Sequence, residues 1–199
     1  MSAWKSFFRC PCGTKIHHSD DEFLRHEEQL NQNLRQYGLQ RQGVQGDGNC
    51  LFYALAQGII YEMRRDPYRF AASLEQFHLY VNMDLIDFAR RLREICIEQW
   101  RLYEQFYNQF VPTPKANFLK EVKKFSKTGV SDSALGDIVP LTLSNALNIQ
   151  IDIFTSVSNL SRINIKPTYV KNSSLASLKL IFLAYNQYGL GHYDAAYPT

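Results

Sequence analysis

The pattern of apolar and polar positions along the 199 residues changes once, and the change divides the chain. In the first two thirds apolar side chains recur at helical steps. In the last third they alternate. Ser19-Asp20-Asp21-Glu22 has the form of a capping box. Phe23, Leu30 and Leu34 follow at helical spacing, up to Gly38, a C-cap residue. Residues 43–49 (Gly-Val-Gln-Gly-Asp-Gly-Asn) are dense in turn formers and read as a loop. The apolar run from Cys50 (Leu51, Phe52, Ala54, Leu55, Ile59) predicts a helix that begins at or just before Cys50. Asp66-Pro67 breaks the chain. Phe77, Val81, Leu85, Phe88, Leu92, Ile95 and Leu102 then mark an amphipathic stripe. A break is expected near Asn82 or Asp84, because uncapped helices beyond about 25 residues are unusual. Val111-Pro112-Thr113-Pro114 ends the stripe. Phe118, Leu119, Val122 and Phe125 mark a further short helix, and Asp137 is the expected N-cap of a helix over 138–147.

From Ile149 the period is two. Ile149, Ile151 and Ile153 alternate with Gln150 and Asp152 and predict a strand. A second strand is expected near 164–170 and a third over Leu178–Tyr185. Residues 186–191 form a turn, and His192–Tyr197 reads as the return strand of a hairpin. The layout is α+β, with helices packed around a small mixed or antiparallel sheet.

Composition narrows this to one globular unit. The apolar fraction is 45%, the charged fraction 21% and the aromatic fraction 14%, enough for a sizeable core and against disorder. A net charge of +3 does not predict nucleic-acid or membrane-surface partners. No apolar run approaches the roughly 20 residues of a spanning helix, and residues 1–15 lack the apolar stretch of a secretory signal. Four cysteines are too few for a disulfide scaffold and suit a reducing, cytosolic setting. Cys10-Pro11-Cys12 with His17, His18 and His26 could supply half of a zinc site. Cys-x-Cys is tight for one tetrahedral metal, so no metal or other cofactor is expected. Cys96 falls on the amphipathic stripe and reads as core.

Candidate chemistry concentrates in Gly46-Asp47-Gly48-Asn49-Cys50-Leu51-Phe52. A cysteine at the start of a helix faces unpaired N–H groups and the positive end of the helix dipole, both of which favour a nucleophilic thiolate. Gly48 permits a tight turn that can aim successive N–H groups at one point, as an oxyanion requires. Among the five histidines, His192 follows the flexible Gly189-Leu190-Gly191 and opens a strand, Gly191-His192-Tyr193-Asp194. Period two places His192 and Asp194 on one face, where a carboxylate can orient an imidazole. The order Cys then His, with a gap near that of papain-like proteases, agrees with a nucleophile and its base.

These residues carry a resemblance. Asp47-Gly48-Asn49-Cys50-Leu51-Phe52 with Ala54-Leu55, and the late Gly191-His192-Tyr193-Asp194, resemble the two signature blocks of the ovarian-tumour (OTU) family of cysteine proteases. Gly136-Asp137-Ile138-Val139-Pro140-Leu141, with Ala146-Leu147-Asn148 and the following strand, resembles the family's middle block. The resemblance implies a papain-like OTU fold and a deubiquitinase that hydrolyses isopeptide bonds at the C-terminus of ubiquitin or a ubiquitin-like modifier, without metal, through a thioester. It makes Cys50 the nucleophile, His192 the base and then acid, Asp194 the orienting group and Asp47 an active-site residue. The Gly48–Asn49 loop would shape the oxyanion hole. The implied division is 1–38 as an extension with one helix and 39–199 as the catalytic domain. The implied partners are ubiquitin and polyubiquitin chains. Two positions depart from the family: Tyr53 stands where Arg is usual, and Leu135 where Trp is usual. The helical arm at about 68–89 looks longer than usual and reads either as an inserted ubiquitin-binding element or as a cover for the core. A non-catalytic ubiquitin-binding module on the same fold is the alternative. Intact Cys50, His192 and Asp194 argue against it.

Overall fold

The computed structural model describes residues 20–111, 117–127, 129, 133–168 and 178–199. The Cys10, Cys12, His17 and His18 group, and Ser19 of the capping box, lie outside the described residues. So do Pro112–Pro114 and the last two residues, 169 and 170, of the strand expected near 164–170.

The alternating third of the chain forms the sheet. Strands β2 (Ile149–Thr155), β3 (Arg162–Ile165), β4 (Lys179–Asn186) and β5 (His192–Pro198) are joined by β1 (Leu39–Gln42), in the order β1-β5-β4-β2-β3. β2 and β4 are parallel and the other pairs antiparallel, so the sheet is mixed. The β4–β5 hairpin pairs Asn186 with His192 and Ala184 with Asp194. β3 spans Arg162–Ile165, upstream of the 164–170 expected for that strand. Its polar outward positions, Arg162 and Asn164, bond the fully buried carboxylate of Asp152 on β2. β1 carries a single apolar residue, Leu39, so its own pattern is silent. It forms because β5 offers it an edge.

Period two then assigns the two faces. Ile149, Ile151, Ile153, Ile181, Leu183, Tyr185 and Tyr193 belong to the larger core. Helix α2 (Cys50–Arg65) lies on that face, backed by α4 (Leu85–Leu102), α6 (Phe118–Phe125) and α7 (Val139–Leu147). The approach of α2 is close enough that a Cβ at Gly58 would stand 2.7 Å from Cγ2 of Ile181. Phe154, Ala184 and Ala196 point to the other face. There, with Leu39, they pack on Leu30 and Leu34 of α1 (Asp20–Gln36). Asn33 of α1 donates to the carbonyl of Thr155 at 2.7 Å, and His26 bonds the Ser156 hydroxyl at 2.8 Å.

Local chemistry sets the helix boundaries. The break at Asp84 is a cap: its carboxylate accepts the Ile86 N–H at 2.8 Å and opens α4. Asp66 accepts from the N–H of Arg69 at 3.2 Å, which starts a π-helical turn over Pro67–Ala71. The arm continues through the three-residue α3 (Ala72–Leu74) and a 3-10 turn at Glu75–Phe77. It buries Phe70, Leu74 and Leu79 and exposes Tyr68 and Tyr80. The four-residue α5 (Glu104–Tyr107) follows α4 after Tyr103. Asp137 is not the cap of α7. It lies inside a 3-10 turn, Gly136–Ile138, and Ile138 precedes the helix. Cys96 is core as expected, fully buried, and burial pushes its thiol well above the ordinary range.

Candidate active site

The loop ahead of α2 is organised by one carboxylate. Asp47 Oδ1 accepts the N–H of Asn49 at 3.0 Å and its side-chain amide at 3.1 Å, and Oδ2 accepts the Tyr53 hydroxyl at 3.1 Å. This Asx turn stops the chain from continuing helically into residue 49, whose φ is −111° and ψ 5°. Cys50 is therefore the first residue of α2 and is buried. Gly48 turns the chain with φ +84°. A Cβ there would stand 2.4 Å from the carbonyl oxygen of Gly129. Only glycine satisfies both the dihedral and the space.

A second clamp comes from α4, and it was not anticipated. Arg93 is 4% exposed. Its guanidinium donates to Asn49 Oδ1 at 2.9 Å and to the carbonyl of Phe125 at 3.0 Å. It lies over the rings of both Phe52 and Phe125, at 4.5 and 4.6 Å from their centroids. Asn49 Oδ1 also accepts the N–H of Gly129 at 3.2 Å. Burial pulls the guanidinium down to about 10, and it remains charged at neutral pH. A signal was present in the sequence. Ala89, Arg93 and Cys96 share the buried side of α4 with Phe88 and Leu92, so an arginine interrupts an apolar stripe at stripe spacing.

His192 and Asp194 meet as the alternation requires, with Nε2 of the ring 3.0 Å from Oδ1 of the carboxylate. The Cys50 thiol is the ring's other neighbour, near enough to raise its proton affinity. With Nε2 on Asp194, Nδ1 is the ring nitrogen left to serve the thiol. The bond to Asp194, then the Cys50 thiol, push the imidazole up to about 10 against the opposing effect of burial. Burial alone would raise the Asp194 carboxyl, but three neighbours hold it below its ordinary value. They are the His192 bond, the Val44 N–H at 2.9 Å and the guanidinium of Arg41, whose Nε is 3.3 Å from Oδ2.

Cys50, His192 and Asp194 thus form one line. Asp47 is not part of it. Its carboxylate is bonded by Asn49 and Tyr53, so it acts on the line by shaping the loop that carries Gly48 and Asn49. Tyr53, at one of the two departures from the family pattern, is a partner in that brace. Among the described residues no group of three His, Cys, Asp or Glu side chains could hold a metal ion. Among the same residues no helix is long and apolar enough to cross a membrane.

No family model matches the chain. Over 181 residues it is 26% identical to the ovarian tumor domain-containing deubiquitinating enzyme 9 of Arabidopsis thaliana, a match that covers 90% of this chain and 42% of that protein. The chain therefore spans less than half the length of that relative. Among solved structures it is similar to the OTU domain of OTUD1, with a TM-score of 0.59 and 19% identity, over 88% of this chain and 96% of that domain. The helices on both faces of a five-stranded mixed sheet match the fold of that OTU domain.

Proposed function

We propose that the chain is an active deubiquitinase of the OTU type, acting through Cys50, His192 and Asp194. The observation that carries this reading is the meeting of Cys50, at a helix N-terminus, with an imidazole whose Nε2 lies 3.0 Å from the Asp194 carboxylate. In the proposed reaction Cys50 reacts as a thiolate paired with the protonated His192 ring, whose raised proton affinity lets it hold the thiol's proton. The sulfur attacks the carbonyl carbon that joins the ubiquitin C-terminus to a lysine. The oxyanion of the tetrahedral intermediate is met by backbone N–H groups of the loop. That of Asn49 is already given to Asp47, so those of Gly48 and Cys50 take this role. His192 returns its proton to the departing lysine amine, leaving a thioester. Water, deprotonated by His192, then attacks the thioester carbonyl and releases the ubiquitin carboxylate and the Cys50 thiol.

Asp194 holds the imidazole in the tautomer this sequence needs and stabilises it when charged. The partner is ubiquitin, as single units or chains, or a ubiquitin-like modifier. A thiol nucleophile suits a reducing compartment, in keeping with the cytosol. The test is covalent capture. Ubiquitin carrying a C-terminal electrophile is expected to form an adduct with the wild type and none with Cys50→Ala. A folded wild type that binds ubiquitin without forming the adduct would instead be a non-catalytic binding module, and the proposal would fall.

A further inference from the structure

Asp194 is gripped from a part of the chain that the motif blocks do not include. Arg41 of β1 places Nε 3.3 Å from Asp194 Oδ2. The two terminal nitrogens of the same guanidinium clasp Glu27 of α1, Nη1 to Oε1 at 3.1 Å and Nη2 to Oε2 at 2.7 Å. Glu27 also accepts from the side-chain amide of Asn186, the residue opposite His192 in the β4–β5 register. The path therefore closes on itself, from His192 through Asp194, Arg41, Glu27 and Asn186 back to His192. Sheet alternation makes this possible. Asp194 and Ala196 point to the face that α1 covers, and Arg41 lies opposite Ala196 in the β1–β5 register.

The arrangement sets two carboxylates around one cation in a half-buried place. The Asp194, Glu27 and Arg41 side chains are 8%, 20% and 27% exposed. The charged and titratable groups around Asp194 are His192 on its own strand, Arg41 on β1, Glu27 on α1 and, beyond His192, Cys50 on α2. From β4 comes the neutral Asn186. Two like charges this close favour protonation of one of them unless a cation stands between. A protonated Asp194 could not stabilise a charged imidazole.

We propose that Arg41 is a positioning residue that keeps Asp194 ionised and aimed at His192 beside a second carboxylate, Glu27, so that helix α1 takes part in organising the nucleophile and its base. The inference rests on the reading of Cys50 and His192 given above. Its bland competitor is that Arg41 and Glu27 only fasten α1 to the sheet.

The two separate in a double-mutant comparison of Arg41→Met, Glu27→Gln and both together. One readout is alkylation of Cys50 by iodoacetamide between about pH 4 and about pH 8, followed by mass on the Cys50 peptide. The other is hydrolysis of a fluorogenic amide of the ubiquitin C-terminus. Arg41→Met is expected to slow both readouts about tenfold near pH 6 and to move the acid limb of alkylation upward by about one unit, because Glu27 then faces Asp194 unscreened. Adding Glu27→Gln removes the like charge and is expected to restore most of the loss. Arg41→Lys keeps the charge without the fork. It is expected to leave the limb in place while losing about threefold in rate, and it carries the test if the methionine variant does not fold. An Arg41→Met protein with wild-type rate and limb overturns the proposal. So does a double variant slower than the single one, or a limb that moves as far in Arg41→Lys as in Arg41→Met. A wild type that shows this alkylation pattern but leaves the ubiquitin amide intact overturns the substrate assignment and keeps the role of Arg41. Alkylation indifferent to His192→Ala overturns both.

Discussion

The guanidinium of Arg93 donates to the side-chain oxygen of Asn49 at 2.9 Å, and so a residue on α4 holds the residue immediately before Cys50. The same group reaches Phe125 on α6, and Asn49 in turn receives the N–H of Gly129. Two separate parts of the chain, α4 and α6, are tied to the nucleophile loop through one buried cation, and a third, Gly129, through Asn49 itself.

Truncating that cation should cost both stability and rate. Arg93→Met leaves the Phe125 carbonyl and part of the Asn49 oxygen without a donor and removes the cation from its place over two rings. A loss of about 3 kcal/mol is expected, read as a lower urea midpoint. Arg93→Lys can serve one acceptor but not both from a point charge, so it should recover less than half of that. Both variants should react more slowly with a ubiquitin electrophile even at temperatures where they are fully folded. A variant that is destabilised but reacts at the wild-type rate would separate Arg93 from the loop's function.

Gly48 and Gly189 both have positive φ, at +84° and +64°, yet their surroundings differ. A Cβ at Gly48 meets the backbone oxygen of Gly129 at 2.4 Å, whereas one at Gly189 meets nothing within 4 Å. Gly189→Ala should therefore cost only the strain of a left-handed residue, about 1 kcal/mol, with turnover within about twofold of wild type. Gly48→Ala adds a displacement of the loop that carries the proposed oxyanion N–H groups. Turnover should fall by at least about 100-fold, near the cost of one lost oxyanion donor. Parallel hydrolysis and thermal unfolding measurements on the two variants check the contrast.

How far these relations could be read from sequence follows from where each signal lies. Cys50 and its helix are legible because the loop and the apolar run adjoin in sequence. His192 and Asp194 are legible because period two puts neighbours in one strand on one face. Arg41 and Glu27 are not. β1 has one apolar residue among four, and its partner β5 is at the other end of the chain, so nothing local announces the pairing. Arg93 left a trace as a charge on a buried stripe, but its acceptors lie on a loop and a helix that sequence spacing does not connect. Asp137 was misplaced because a Gly-Asp step ahead of an apolar run fits an N-cap or a 3-10 turn equally well. Here the 3-10 turn won.

The line through His192 also fixes a pH dependence. The ring's bond to Asp194 and then its Cys50 neighbour push the folded imidazole up to about 10, from an ordinary value near 6.5. The folded state therefore holds this proton more tightly than the unfolded chain. Its contribution to stability is fully present below about pH 6.5 and is lost as pH rises toward 10. The difference in unfolding free energy between wild type and His192→Ala should shrink across that interval in urea titrations at successive pH values. Turnover should decline over the upper part of it, since departure of the lysine amine needs the protonated ring. Asp194→Asn removes the first of the two causes, so an NMR titration of the His192 ring should give a lower midpoint in that variant. A midpoint unchanged by the substitution would show that Asp194 does not hold the proton in place.

Asp47 offers the last contrast, between shaping the loop and taking part in the reaction. Its carboxylate is satisfied by Asn49 and Tyr53. Tyr53→Phe removes one of its three hydrogen bonds and should cost about 1 kcal/mol, with a small change in rate. Asp47→Asn can still accept from the Asn49 N–H through its amide oxygen and should keep much of the turn. Asp47→Ala loses both bonds to Asn49 and the one to Tyr53, leaving Asn49 to Arg93 and Gly129, so the N-terminus of α2 can shift. The ranking expected in turnover is wild type, then Tyr53→Phe, Asp47→Asn and Asp47→Ala, with the pH profile of each retaining its shape because no titrating group of the reacting line has been removed. If Asp47→Asn instead matched His192→Ala in its loss and changed the profile, Asp47 would have to touch the reaction itself, and its place in the site would need to be redrawn around the substrate-bound state.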